Sequence, residues 1–147
     1  MKTTTKLFLL LASILAVSCN SDEYRIRKAA QGYLDATGNY RIDEAMPYAT
    51  QATREQTLPF IRDIVIPLTD SNYINSNQPA TIVINSVHVV CPDTATVDYT
   101  KTTPVRILKN TIVMVKEDGK WLVHVPLDVP QAASSEAEDN NIQTDAQ

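Results

Sequence analysis

The stretch VMVKEDGKWLVHV, residues 113–125, decides the fold of this chain. Asp118 and Gly119 lie between two runs rich in β-branched and aromatic residues, and both tolerate the positive φ that a two-residue hairpin turn requires. The stretch therefore predicts two antiparallel strands joined by a tight turn. That turn implies a register that pairs Val115 with Leu122, Val113 with His124, Met114 with Val123 and Ile112 with Val125.

Upstream of this hairpin, two further strands are predicted at Thr81–Val90 and Thr94–Thr102. The hairpin strands are predicted at Val105–Glu117 and Lys120–Val129. Each connection is a short run of turn-forming residues, so the four strands form a sequential antiparallel meander.

The first half of the chain has a helical period instead. Helices are predicted at Asp22–Thr37, Tyr40–Tyr48 and Thr53–Leu68, and the turn-rich segment Asp70–Pro79 predicts a loop. Helices followed by a meander indicate an α+β fold, with the helices packed on one face of the sheet. The side chains expected to face the core are Ile26, Ala29, Ala30, Tyr33 and Leu34 in the first helix, and Leu58, Ile61, Val65 and Leu68 in the third.

Residues 1–19 resemble a bacterial lipoprotein export signal. Lys2 and Lys6 precede the apolar run Leu7–Val17, which is too short to cross a hydrocarbon core about 30 Å thick. Small residues then lead to Cys19, in the place of the cysteine that such signals lipidate before the leader is removed. The resemblance implies a leader over residues 1–18 and an outer-membrane lipoprotein of the cell envelope. The alternative is an ordinary secretory signal cut nearby.

Residues 19–23 form a short acidic tether between this cysteine and the first helix. The run Asn20, Ser21, Asp22 and Glu23 resembles the surface-export signal of some Gram-negative lipoproteins. The alternative is that Asp22 and Glu23 are favourable charges at a helix N-terminus. Surface display and the periplasmic leaflet are both open.

Composition separates a folded region from a tail. The chain has a formal net charge of −4. Its sequence shows no basic stripe of the kind that would indicate nucleic acid binding. Residues 131–147 contain four acidic side chains and only Ile142 as a large aliphatic, which predicts a disordered acidic tail. Residues 24–130 are therefore the predicted α+β domain.

Five short segments of this domain resemble small lipoproteins of the nuclear transport factor 2-like superfamily, in a branch of domains of unknown function. The segments are Ala29-x3-Tyr33-Leu34, Gly38-Asn39-Tyr40, Ala49-Thr50, Thr94–Val97 and Val115–Trp121. The resemblance implies a cone, in which a curved sheet wraps the helices and often encloses a cavity. Because this superfamily includes isomerases, dehydratases, cyclases, transport adaptors and assembly domains, the fold does not define the function.

Two tyrosines are the candidate contacts in such a cavity. Strand alternation puts Tyr99 on the same face as Ala95 and Val97, and Tyr33 lies on the apolar stripe of the first helix. Their hydroxyls would donate hydrogen bonds to a ligand; alternatively, both rings fill the core. Asp98 falls on the opposite face, so no inward acid–base pair is predicted.

Neither a metal nor a cofactor is expected. His88 and His124 fall on the two outer strands, and a zinc site would require further ligands close by. Cys91 is the remaining thiol once Cys19 is lipidated, and it is expected to be buried and inert.

These features favour a non-enzymatic, lipid-anchored binding or assembly module whose membrane contact is the lipid anchor. Arg25, Arg27 and Lys28 lie at the anchored end, where they either meet anionic lipid or form a solvated face. Because both faces of the final hairpin are apolar, a second copy or another protein is expected on the outer face. The alternatives are a small-molecule binder or an isomerase- or dehydratase-like enzyme that uses the cone cavity, and an inhibitor or immunity-type lipoprotein.

Overall fold

The computed structural model describes residues 21–127. Leader residues 1–18, Cys19, Asn20 and the acidic tail 131–147 lie outside the described residues. Among the residues described, no helix combines the length and the apolar character needed to span a membrane. The helices are α1 over residues 21–38, α2 over Ile42–Ala45 with a 3₁₀ turn at Met46–Tyr48, α3 over residues 51–68, and α4 over Ser71–Ser76.

The four strands form one antiparallel sheet in the order β1-β2-β3-β4, which confirms the predicted meander. They are β1 at Thr81–Cys91, β2 at Thr94–Thr102, β3 at Ile107–Glu117 and β4 at Lys120–His124. Asp118 and Gly119 have φ of 49° and 74°, as the tight turn requires. In the resulting register Val115 pairs with Leu122, Val113 with His124 and Met114 with Val123. The α+β fold class is thereby confirmed.

The hydrophobic core lies between α1 and the inner face of the sheet. Four of the five predicted α1 side chains are buried, and Ala29 packs at the edge of the core. The sheet contributes Ala95, Val97, Met114, Trp121 and Val123. The helix ends at residue 38, where a Cβ on Gly38 would lie 3.5 Å from the Ile82 side chain. This is an ordinary van der Waals distance, and the positive φ of 59° falls on Tyr40.

The buried face of α3 differs from the face predicted for this helix. Leu58 is buried and Ile61 packs against the core, as expected, but Val65 is 40% exposed and Leu68 is 83% exposed. The helix contains two π-helical stretches, Thr53–Thr57 and Ile61–Val65, whose wider turns shift the phase of a 3.6-residue repeat. The side chains that reach the core beyond Leu58 are therefore Ile61 and Ile66, which are five residues apart.

Two predicted segment boundaries are also wrong. Asp70–Pro79 is not a continuous loop, because the Asp70 carboxylate accepts the Asn72 backbone N–H at 2.7 Å and caps α4. The third strand begins at Ile107 and not at Val105, because Thr103 N donates to Arg106 O at 2.9 Å and closes a turn.

The last strand is shorter than predicted, so the expected pairing of Ile112 with Val125 is absent. Val125 bonds to α3 instead. Its N–H donates to Thr53 Oγ1 at 2.8 Å, and its carbonyl accepts from Thr57 Oγ1 at 2.6 Å. The outer edge of β4 is covered by Ala49, which forms a parallel bridge with Val123.

Candidate functional site

A stripe of α1 that adjoins the core-facing stripe at Ala29 forms one wall of a surface cleft. Arg25, Lys28 and Ala29 line the cleft, and Gly32 follows on the same helical face. A Cβ on Gly32 would lie 2.4 Å from the ring of Tyr48. Glycine therefore lets the Tyr48 ring pack directly against α1, where it forms the adjoining wall.

The opposite wall is the tip of the β3–β4 hairpin. Pro47 and Tyr48 come from the 3₁₀ turn, and the hairpin contributes Gly119, Lys120, Trp121 and Leu122. The cleft has a volume of about 450 Å³, within the range of small-molecule sites, which are mostly apolar with a few polar groups. Its walls match that description, with aromatic and aliphatic surfaces and three cationic side chains.

The three cations of the cleft are weakly neutralised. Arg25 lies 3.9 Å from Asp22, at the outer limit of an ion pair. Within residues 21–127, neither Lys28 nor Lys120 forms an ion pair within 4.0 Å. The cleft therefore combines apolar walls with unpaired positive charge, an arrangement suited to an anionic ligand.

An ion pair behind the cleft holds α1 on the hairpin. Lys116 Nζ lies 3.2 Å from Asp22 Oδ2 and 5.0 Å from the centroid of the Trp121 ring. Desolvation raises the pKa of Asp22, but the hydrogen bond from Lys116 and the charges of Lys116 and Arg25 outweigh it and lower the pKa. Asp22 therefore carries its charge at neutral pH and helps to fix the wall formed by Trp121.

Only part of the predicted export signal lies within the described residues, which begin at Ser21. Cys19 and Asn20 lie outside them, and Ser21, Asp22 and Glu23 are already helical. Asp22 is paired with Lys116, and Glu23 accepts from Arg27 Nε at 2.9 Å. Both acidic side chains thus take part in the packing and charge pairing at the start of α1.

Tyr33 and Tyr99 both lie on the core side of the sheet. Tyr33 is 5% exposed, and Tyr99 packs partly buried against the core. Desolvation, with a smaller contribution from Tyr99, raises the pKa of Tyr33 to about 12. Both hydroxyls are therefore protonated donors at neutral pH.

The outer face of the sheet carries an Asp–His pair that the sequence analysis did not anticipate. His88 Nε2 lies 3.2 Å from Asp98 Oδ2 and 3.1 Å from Ser86 Oγ. This is not a catalytic triad, because Ser86 donates its own proton to Asp98 at 2.7 Å and both contacts use the same ring nitrogen. Hydrogen bonds from Thr111 first, and then from Ser86 and His88, lower the pKa of Asp98.

The two histidines lie on opposite edge strands, β1 and β4. His124 Nδ1 is 3.2 Å from Thr50 Oγ1, far from the His88 pair in strand order. Within residues 21–127, no three His, Cys, Asp or Glu side chains are grouped closely enough to hold a metal ion.

The expectation for Cys91 was wrong, because its side chain is exposed. It lies at the end of β1, next to the turn into β2. A hydrogen bond from the Thr94 hydroxyl, followed by a backbone hydrogen bond at Asp93, lowers its pKa. The thiol is therefore accessible.

Sequence reasoning missed the cleft because its three walls come from segments far apart in the chain. It identified the cations at the start of α1, but it assigned no role to Tyr48, Lys120 or Trp121. The available signal was Gly32, since a glycine inside a helix commonly marks a close approach of another group.

The sequence matches no protein-family model and no curated protein. One solved structure that matches is an NTF-2-like protein of unknown function from Shewanella oneidensis MR-1. It aligns over 67% of this chain and 91% of its own length, with 14% sequence identity and a TM-score of 0.46.

Proposed function

We propose that this protein is a lipid-anchored, non-enzymatic binding module of the bacterial cell envelope, held through Cys19 with the start of α1 towards the membrane. One observation carries the proposal. The start of α1 and the adjoining hairpin tip carry an exposed aromatic ring and several cations. These residues are Tyr24, Arg25, Arg27, Lys28 and Lys120.

The chain between the proposed anchor and the domain is very short. Ser21 is helical and lies two residues after Cys19, a separation that spans at most about 7 Å when extended. Acyl chains on Cys19 would therefore keep the first turns of α1 within reach of the lipid headgroups.

The side chains at this end suit an interfacial position. Tyr24 is 66% exposed, and tyrosine is enriched where apolar and wet surroundings meet. Arg27 is paired with Glu23, whereas Lys28 and Lys120 keep unpaired charge within the described residues. Each such cation contributes about 1 kcal/mol of attraction near an anionic membrane surface.

The outer sheet face supports the assembly part of the proposal. Val113 is 39% exposed on this face, and its neighbour Val115 is half-buried. We assign this patch to contact with a second copy of the chain.

Vesicle binding tests the proposed orientation. The mature chain, residues 19–147 with Cys19→Ser, should bind phosphatidylglycerol vesicles and bind phosphatidylcholine vesicles much less. The triple variant Arg25→Gln, Arg27→Gln, Lys28→Gln should weaken binding about tenfold or more, because three cations leave the contact.

The control removes the same charge elsewhere. Arg41→Gln, Arg62→Gln and Lys109→Gln replace three exposed or partly exposed cations away from the start of α1. Equal losses for the two triple variants would contradict the orientation, because only net charge would then govern binding.

A further inference from the structure

We propose that the cleft between α1, the 3₁₀ turn and the β3–β4 hairpin binds a single-chain amphiphile with an anionic headgroup. The inference concerns a ligand site in the domain itself and does not depend on the lipid anchor. It assigns the alkyl chain to the aromatic and aliphatic walls and the headgroup to the cationic rim.

The walls provide the apolar half of the site. Ala29, Pro47, Tyr48, Trp121 and Leu122 surround about 450 Å³, and the close approach of Tyr48 to Gly32 fixes one ring in place. Trp121 is 4% exposed and is held from behind by Lys116. An alkyl chain that enters this space leaves water, which is the main driving force for its binding.

The rim provides the polar half. Arg25, Lys28 and Lys120 come from two separate elements and converge on the same cleft. A phosphate or carboxylate at this rim would accept charge-assisted hydrogen bonds from these side chains, and the two lysines have no ion pair of their own within the described residues. A zwitterionic or sugar headgroup would leave this positive charge unmatched.

The location separates this site from the interior of the sheet. The cleft lies at the surface edge of the core, beside the hairpin tip, and neither Tyr33 nor Tyr99 lines it. Occupation of the cleft therefore requires no cavity between the helices and the sheet.

Trp121 allows a direct measurement, because it is the only tryptophan of the chain. The mature chain, residues 19–147 with Cys19→Ser, is titrated with monomeric decyl phosphate in the absence of vesicles, and its indole emission is followed. We expect a saturable change in emission. Octyl phosphate should bind about tenfold more weakly, since two fewer methylenes leave water.

The headgroup is tested with matched ligands and matched variants. Decyl maltoside, with the same chain and a neutral head, should bind at least about tenfold more weakly, and inorganic phosphate alone should not displace decyl phosphate. The variant Lys28→Gln, Lys120→Gln should weaken decyl phosphate binding about tenfold, whereas Arg41→Gln, Lys109→Gln should leave it unchanged. Unfolding in urea monitors whether each variant is folded.

The inference would be overturned by equal affinity for decyl maltoside, by equal affinity for octyl and decyl phosphate, or by equal losses in the two double variants. Displacement by inorganic phosphate at the same concentration would also overturn it, because the site would then be specific for the free anion. None of these readouts involves vesicles or Cys19, so they are independent of the test of membrane orientation.

Discussion

Tyr33 gives a pH-dependent prediction at the scale of one residue. Its folded pKa of about 12 exceeds the unfolded value of about 10, so the protonated ring contributes stability that is complete below pH 10. That stability is lost as the pH rises through the folded pKa. Between pH 10 and pH 11 the wild-type chain should lose about 1 kcal/mol more stability than Tyr33→Phe.

Urea unfolding at both pH values measures this difference. Tyr99→Phe is the matched control, because Tyr99 is less buried and should account for less of the alkaline loss. Parallel pH dependence in the wild type and Tyr33→Phe would show that the Tyr33 hydroxyl is not buried in solution.

At the scale of secondary-structure elements, the seam between α3 and the end of β4 is the feature most open to test. Thr57 Oγ1 donates to the Val125 carbonyl at 2.6 Å and is almost fully buried. Thr57→Val keeps the shape of the side chain but removes its hydrogen bond to the Val125 carbonyl. We expect this loss to lower the free energy of unfolding by about 1–2 kcal/mol.

Thr37→Val is the control for this substitution. Thr37 Oγ1 also donates to a backbone carbonyl, that of Tyr33 at 2.9 Å, but this carbonyl lies within a continuous helix. We expect a cost within about 0.5 kcal/mol, measured by urea unfolding. Similar costs for the two variants would contradict the role assigned to the seam.

The elements that sequence reasoning predicted well are those specified by local patterns. Asp118-Gly119 defines the hairpin register, and the three- and four-residue spacing in α1 defines its buried face. Both signals act over a few residues, so no tertiary contact is needed to read them.

The elements that it predicted poorly depend on contacts between distant segments or on irregular helix geometry. The π turns of α3 move Val65 out of the core, although the α-helical spacing places it inside. Val125 leaves the sheet because its backbone N–H and carbonyl form hydrogen bonds with Thr53 and Thr57. The sequence near Val125 does not indicate these distant partners.

At the scale of the whole molecule, the domain has an apolar patch on the outer sheet face and a second one on the far half of α3. The exposed side chain of Val113 belongs to the patch on the sheet, and those of Phe60, Ile64 and Leu68 form the patch on α3. We expect the mature soluble chain to form a reversible dimer at high concentration through the outer sheet face.

Sedimentation velocity with Cys91→Ser, which removes the accessible thiol, tests this expectation. Val113→Lys should abolish the dimer, whereas Leu68→Lys should leave it intact. A monomer at every concentration, or dissociation caused by Leu68→Lys alone, would contradict contact through the outer sheet face.

The anchor at Cys19 is the claim on which the proposed location and orientation depend. The most direct measurement is the intact mass of the full chain, expressed with its leader in a Gram-negative host and extracted from the membrane. The account predicts a mature protein that begins at Cys19 and carries the added mass of a diacylglyceryl group. A mature chain without acyl groups, or one that begins at another residue, would contradict it.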